Sequence, residues 1–353
     1  MVAVPPSDTS APEVARIRAA VLDWYAAHAR TLVWRAPPGS DARPDPYRVW
    51  LSEVMLQQTT TPHATPYFLA FTARWPTVND LAAAEDGDVM AAWAGLGYYA
   101  RARNLLACAR AVARDHGGVF PGTEADLLTL PGVGAYTAAA VAAIAFGQPA
   151  NVVDGNVERV MARLFAVETP LPAARPLLKA LAARFVMGDQ PGPEHADWPQ
   201  ALMDLGATIC RPKSPLCEQC PVAFGCAALA TGEPGRYPLK AKKAERPHRH
   251  GVAWVLRDGQ GRVALVRRPD KGLLGGMLGL PTSDWSDAPD TTPPVDADWQ
   301  DAGSIDHVFT HFSLTLRVQV AVGEDTGFHW TPTAEALEAL PTVFRKALQR
   351  SLV

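Results

Sequence analysis

The stretch Leu130-Pro131-Gly132-Val133-Gly134, followed directly by the apolar run of residues 135–146, decides how the first part of the chain is read. Two glycines allow backbone conformations closed to other residues and let a second backbone come close. A helical pattern over 124–130 leads into the turn and another starts at Ala135. The free N–H groups and positive dipole end of that second helix therefore face outward from the turn. The arrangement is a helix–hairpin–helix, a backbone grip for a phosphate that reads no bases, with Gly132, Val133 and Gly134 as its contacts. A G-x-G between helices is also often only a tight turn, so the motifs around it decide the matter.

Outward from the hairpin, residues 13–229 carry helical patterning with short connectors, for example over 12–29, 47–58, 89–94 and 100–114, and no strand-like alternation. Residues 231–250 change to Pro, Lys, Arg and His, which is linker chemistry. After Gly251 the period becomes two: 252–257 and 262–268 are expected strands joined by a turn at Asp258-Gly259, and 313–322 is another. Residues 333–352 are expected to be helical, interrupted near Pro341. The expectation is a multidomain protein: a disordered tail over 1–12, an all-α domain over 13–230, a linker over 231–250 and a smaller α+β domain over 251–353. A chain of 353 residues is long enough for two cores.

The first dozen residues, with Pro5, Pro6, Ser7 and Pro12, lack the basic start and apolar stretch of a signal peptide. The longest apolar candidate, 135–146, is too short to span a membrane. A cytoplasmic location and no membrane partner are expected. The formal net charge of −3 does not advertise nucleic-acid binding, so any DNA surface has to be a local patch. Two runs qualify: Arg101, Arg103, Arg110 and Arg114 along one helix, and Arg236, Lys240, Lys242, Lys243, Arg246 and Arg249 in a short polar stretch. Taken alone, each is better explained as a solvated face.

Four of the five cysteines, Cys210, Cys217, Cys220 and Cys226, form a C-x6-C-x2-C-x5-C run. Four thiols this close in a chain otherwise almost free of cysteine argue for a metal site, and disulfides do not suit a reducing cytoplasm. Zinc is the rival, because Cys₄ zinc sites usually pair two C-x2-C knuckles. Only one knuckle exists here, and the wide, unequal outer spacings favour a 4Fe–4S cluster, each thiolate binding a different iron. Pro212, Pro215 and Pro221 stiffen the loop, and Arg211 and Lys213 could present a basic rim to a phosphate. Cys108 stands apart on a helix and is expected to be a small core residue.

About twenty residues beyond the hairpin lies Val152-Val153-Asp154-Gly155-Asn156-Val157. LPGVG, then an Asp, then a four-cysteine loop is the order of the endonuclease III superfamily of DNA glycosylases. With Ser52-Glu53-Val54-Met55-Leu56-Gln57-Gln58-Thr59 and Gly95-Leu96-Gly97-Tyr98-Tyr99-Ala100-Arg101, the chain resembles the adenine DNA glycosylases of the MutY type over nearly its whole length. The resemblance implies a helix–hairpin–helix glycosylase domain with an iron–sulfur loop, followed by a nudix-like domain. It also implies a monomeric, nucleoid-associated enzyme acting on duplex DNA that carries an adenine:8-oxoguanine or adenine:guanine mispair. Relatives that also cut the strand place a lysine just after the hairpin as the Schiff-base amine; here Ala135-Tyr136-Thr137 follows Gly134, and Tyr136 cannot form that imine. Many relatives carry a lysine four residues after the Asp154 equivalent, where this chain has Glu158.

Two acids then account for the chemistry. Adenine leaves poorly unless it is protonated, and the cationic sugar needs support. Glu53 is predicted on the helix 47–58 among Val49, Trp50, Leu56 and Gln57, an apolar surround that keeps a proton available. The resemblance assigns it protonation of adenine at N7 and later handling of water. Asp154, ionised, faces the oxocarbenium-like sugar, with Tyr136 and Asn156 supporting the acids. Without the resemblance, Glu53 is equally a solvated helix residue and Asp154 is better explained as a helix N-cap.

A base in duplex DNA has to be flipped out before its glycosidic bond is reachable. Gln58, beside Gln57, and Tyr98 match the residues that fill the gap. Arg30, Leu32, Trp34 and Arg35 match the segment lining the adenine pocket, with Val33 where relatives usually carry proline. Residues 272–281 match a Gly-rich strand and turn of the nudix-like domain, yet the clustered Glu residues of a nudix box are absent from the sequence. Phe309-Thr310-His311 aligns with the loop, usually Phe-Ser-His, that contacts the oxidised guanine. The competing expectations are a bifunctional glycosylase/lyase for oxidised pyrimidines and a non-catalytic DNA-binding protein with a structural metal.

Overall fold

The computed structural model describes residues 11–40, 44–186, 188–241, 246–269, 273–309, 311–324 and 327–352. The tail up to residue 10, and Lys242, Lys243, Gly272 and Thr310, lie outside them. The chain divides into two units, Met1–Ala241 and Lys242–Val353.

The first unit is helical: α1 (Ala11–His28), α2 (Pro46–Leu56), α3 (Thr61–Arg74), α4 (Val78–Ala82), α5 (Asp86–Ala92), α6 (Tyr99–Asp115), α7 (Glu124–Leu127), α8 (Ala135–Phe146), α9 (Gly155–Leu164), α10 (Arg175–Ala183), α11 (Pro193–Thr208) and α12 (Ala227–Ala230). Helix α8 is buried from Thr137 through Ala145, and its run of alanines lets α2, α7 and α11 pack closely around it. Helix α2 starts where Asp45 accepts from the Tyr47 N–H at 2.9 Å, with Pro46 in the first turn. It ends at Leu56, two residues before the expected stop, because Gln58 takes a left-handed φ of 66° that no helix continues.

The expected linker over 231–250 is corrected at both ends. Tyr237 is buried, its carbonyl accepts from Arg163 Nε at 3.0 Å and its hydroxyl donates to Glu168 at 2.6 Å, so residues up to 241 belong to the helical unit. At the far end, the first strand of the second unit already begins at His248.

That second unit is α+β, with strands β1 (His248–Arg257), β2 (Arg262–Arg267), β3 (Leu278–Gly279), β4 (Gln300–Val308), β5 (Ser313–Val322) and β6 (His329–Pro332), and helices α13 (Thr333–Ala339) and α14 (Thr342–Arg350). The sheet runs β3-β2-β1-β5-β4, with β6 beside β2. β1 and β5 pair in parallel and the other pairs are antiparallel. At the β1–β2 turn, Asp258 accepts from the N–H groups of Gln260 and Arg262 at 2.9 and 2.8 Å. Leu314, Leu316 and Val318 bury one sheet face in a core shared with Val343, Phe344 and Leu348 of α14. Helical and sheet units thus have separate cores. Among the described residues no helix is long and apolar enough to cross a membrane.

Candidate active site

A cavity of about 540 Å³ opens in the helical unit between α2, the 30–35 segment, the first turn of α8, the start of α9, and α11. Its volume suits a small organic ring system. Helix α2 is buried on nearly every side, so Glu53 is carried into the wall among Val49, Trp50, Val54 and Met55. Burial holds the Glu53 carboxyl above the ordinary carboxylate range, and the nearby charge of Asp154 adds to that rise. A hydrogen bond from Tyr136 and the Arg35 guanidinium pull the other way. The Tyr136 hydroxyl donates to Glu53 Oε2 at 2.7 Å. Burial first, then the neighbouring Glu53 carboxylate, push the phenol well above its usual range, so Tyr136 stays a donor.

Asp154 is the N-cap of α9, accepting from the Val157 N–H at 2.7 Å through Oδ1. Its Oδ2 accepts from Asn156 Nδ2, also at 2.7 Å. The cap fixes the carboxylate's orientation while one edge remains on the cavity wall, so capping and facing the cavity coexist in one side chain. Asn156 is held in turn by Arg159, whose Nη2 donates to Asn156 Oδ1 at 2.9 Å and to the Gly206 carbonyl at 2.6 Å. Arg159 Nε donates to the Cys210 carbonyl at 2.8 Å, joining this corner to the cysteine loop.

Arg30, Leu32, Trp34, Arg35, Gln57, Gln58 and Asn156 line the same cavity as Glu53, Tyr136 and Asp154. Sequence reasoning missed what holds the two arginines. Asp204 of α11, fully buried, accepts from the Arg30 backbone at 2.9 Å, from Arg30 Nε at 2.6 Å and from Arg35 Nη1 at 2.9 Å. Its sequence signal was an acid inside the apolar run Ala201-Leu202-Met203-Asp204-Leu205. Gln200 and Met203 on the same helix also line the cavity and were not singled out.

The hairpin lies outside this cavity. Gly132 has a φ of 71°, and a Cβ there would stand 2.6 Å from Asn104 Cβ of α6, so glycine is required. The Val133 side chain is buried and its N–H donates to the Leu130 carbonyl at 3.2 Å. Gly132 and Gly134 are exposed. Tyr98, 65% exposed with a φ of 50°, precedes α6. The basic run on α6 is mostly spent on protein partners. Arg110 pairs with Asp86, Arg114 with Asp115, and Arg101 donates to backbone carbonyls. In the second run, Arg236 pairs with Glu168 and Arg249 lies over the Phe312 ring.

Cys210, Cys217, Cys220 and Cys226 ring one small cavity with Arg163, whose Nη1 donates to Cys210 Sγ at 3.3 Å. Burial raises the thiols of Cys217, Cys220 and Cys226, Cys220 to about 11. The donor set fits a multi-metal group. Cys108 is buried, and its thiol is pushed up to about 12 by that burial, as suits a core residue. Glu158 pairs with Arg175 at 3.1 Å. In the sheet unit, half-buried Phe309 stacks on Trp285 at 5.5 Å and lies tilted to Phe312 at 4.8 Å, while His311 is exposed.

Hairpin, paired acids and cysteine loop on one helical body define a base-excision DNA repair protein of the HhH-GPD superfamily, whose profile matches residues 51–184. A NUDIX domain profile matches residues 252–350. The chain is 40% identical to the adenine DNA glycosylase of Mycobacterium tuberculosis over 247 residues, 70% of this chain and 76% of that protein. It is 34% identical to the Arabidopsis thaliana adenine DNA glycosylase over 89% of this chain, but spans only 58% of that relative's length. A solved thermostable thymine-DNA glycosylase, 29% identical, superposes with a TM-score of 0.55 over 64% of this chain and all of its own. The chain belongs to the adenine DNA glycosylase family.

Proposed function

We propose that this protein is a monofunctional DNA glycosylase that removes adenine mispaired with 8-oxoguanine or guanine during base-excision repair. The observation that carries the reading is Glu53, buried and hydrogen-bonded to Tyr136 across a cavity whose wall also holds Asp154. With adenine flipped into the cavity, the Glu53 carboxylic acid gives its proton to N7. The C1′–N9 bond then breaks, its electron pair leaving with the base. Asp154 stabilises the cationic sugar at C1′. Water adds at C1′ and gives its proton to the Glu53 carboxylate, so adenine and an abasic site are the products and the acid is restored.

The lyase reading is disfavoured because no lysine is among the residues lining the cavity and Tyr136 supplies no amine. Treating the product of adenine opposite 8-oxoguanine with and without alkali tests this. Strand scission is expected only after alkali; scission without it, or high-yield borohydride trapping, would overturn the reading.

The four cysteines would hold a 4Fe–4S cluster, which when bound cross-links residues 210–226 through its iron–thiolate bonds. Four thiols around one small cavity, with a single C-x2-C knuckle and wide, unequal outer spacings, support this over zinc. Purified protein is expected to be brown, with about four iron and four sulfide per chain. Colourless protein with stoichiometric zinc would refute the cluster. His311, Thr310 and Phe309 are proposed to contact the oxidised guanine, and Gln58 and Tyr98 to fill the gap left by the flipped base. A cytoplasmic monomer acting on nucleoid DNA completes the reading.

A further inference from the structure

Gln58, with φ 66°, and Tyr98, with φ 50°, are exposed non-glycine residues in left-handed backbone. A β-carbon is strained there, and such conformations persist only where the surroundings over-determine them. The two turns come from distant parts of the sequence, one at the end of α2 and one at the start of α6. A single side chain joins them. Arg101 Nη1 donates to the carbonyls of Val54 and Gln57, and its Nη2 donates to the Leu96 carbonyl at 3.2 Å.

The same guanidinium lies 5.4 Å from the Tyr98 ring and 5.5 Å from the Trp93 ring. Trp93 in turn donates to the Gly97 carbonyl at 3.0 Å, fixing the peptide just before Tyr98. The carbonyls of Val54 and Gln57 belong to the C-terminal end of α2, where a cation is favoured. Only a planar fork of several N–H groups reaches acceptors in two turns at once; an ammonium is a compact point donor. Arg101 therefore faces the protein, although it lies on a run of arginines that reads as a DNA patch.

We infer that Arg101 is a positioning residue that sets the separation and the strained backbones of Gln58 and Tyr98, so that both enter the duplex together when a base is extruded. The inference rests on the reading of those two residues as the wedge. Arg101 touches neither base nor phosphate in this role. Its loss uncouples two insertions that otherwise occur as one event.

The test uses the full chain and a duplex in which the target is 2′-fluorinated deoxyadenosine, which resists cleavage because fluorine disfavours a cationic sugar. A 2-aminopurine beside it reports unstacking by fluorescence. Gln58→Ala, Tyr98→Ala, Arg101→Lys and the double variant Tyr98→Ala/Arg101→Lys are compared. Arg101→Lys is expected to lower the extrusion equilibrium about tenfold, the double variant falling little further than either single change. On cleavable substrate, the pH at which Arg101→Lys loses activity is expected to match the parent, because Glu53 sets it; a general collapse of the site would move it. Additive losses in the double variant, or undiminished extrusion in Arg101→Lys, would overturn the coupling. If Gln58→Ala and Tyr98→Ala both extrude normally, the wedge reading falls first and the coupling with it.

Discussion

Asp154 caps α9 and stands on the cavity wall, so the proposed function gives one side chain a structural and a chemical duty together. As N-cap of α9 it satisfies a backbone donor, and Asn caps a helix about as well as Asp does. Asp154→Asn is therefore expected to leave the melting temperature nearly unchanged while lowering single-turnover adenine release by about 10²-fold or more. A matched loss of both would reduce Asp154 to a cap. Glu53 makes the complementary case. Burial holds its carboxyl above the ordinary range, so the folded protein binds this proton more tightly than the unfolded chain. Its cost to stability is absent below the ordinary carboxylate range and grows as pH rises towards the raised folded value. Glu53→Gln is expected to abolish release, by about 10²-fold at least, while raising the melting temperature at neutral pH and not at acid pH. A melting difference that ignores pH would refute this account of the burial.

At the scale of elements, the corner that holds Asp154 and Asn156 depends on how closely α9 and α11 approach. A Cβ on Gly206 would stand 2.6 Å from Asn156 Cβ and 3.2 Å from its Cα. Gly206→Ala cannot be absorbed by a flexible side-chain tip, so it moves the start of α9 and with it Asp154 and Asn156. Adenine release is expected to fall by about 10²-fold, since an ångström of misplacement costs about that much, with duplex binding retained. Unchanged turnover, measured in single-turnover assays, would show that the corner tolerates the shift. Element boundaries were legible where local chemistry announces them: Pro46 and Asp45 open α2, and Ala135–Phe146 matches its helix from end to end. Strand β4 escaped because Gln300–Val308 holds Asp, Gly, Ser and His and shifts register between Asp301 and Ser304. It is a strand through pairing with β5, not through its own composition.

For the whole molecule, two separate cores imply two units that fold independently. A fragment ending at Ala241 is expected to keep its helical circular dichroism and to release adenine. With the sheet unit gone, its preference for 8-oxoguanine over guanine opposite adenine is expected to weaken. A fragment ending instead at residue 230, the boundary composition suggested, loses Tyr237 and its bonds to Arg163 and Glu168. It is expected to melt lower; equal melting of the two fragments would show that residues 231–241 add nothing to the fold.

The hairpin, the cysteine run and the change of period after Gly251 are local patterns that the amino-acid order alone determined, while the acids at 53 and 154 stood out through the family resemblance of the motifs around them. Glycine at a tight turn, thiols at set spacing and an apolar helix depend on near neighbours, which sequence records. Tertiary structure alone decided that Asp204 anchors Arg30 and Arg35, that Arg159 ties Asn156 to the Cys210 carbonyl, and that most of the arginines on α6 serve the protein itself. Those partners lie tens to more than a hundred residues apart for the most part. An arginine's donors look the same in sequence whether they meet a phosphate or a carbonyl, and only the folded neighbourhood says which.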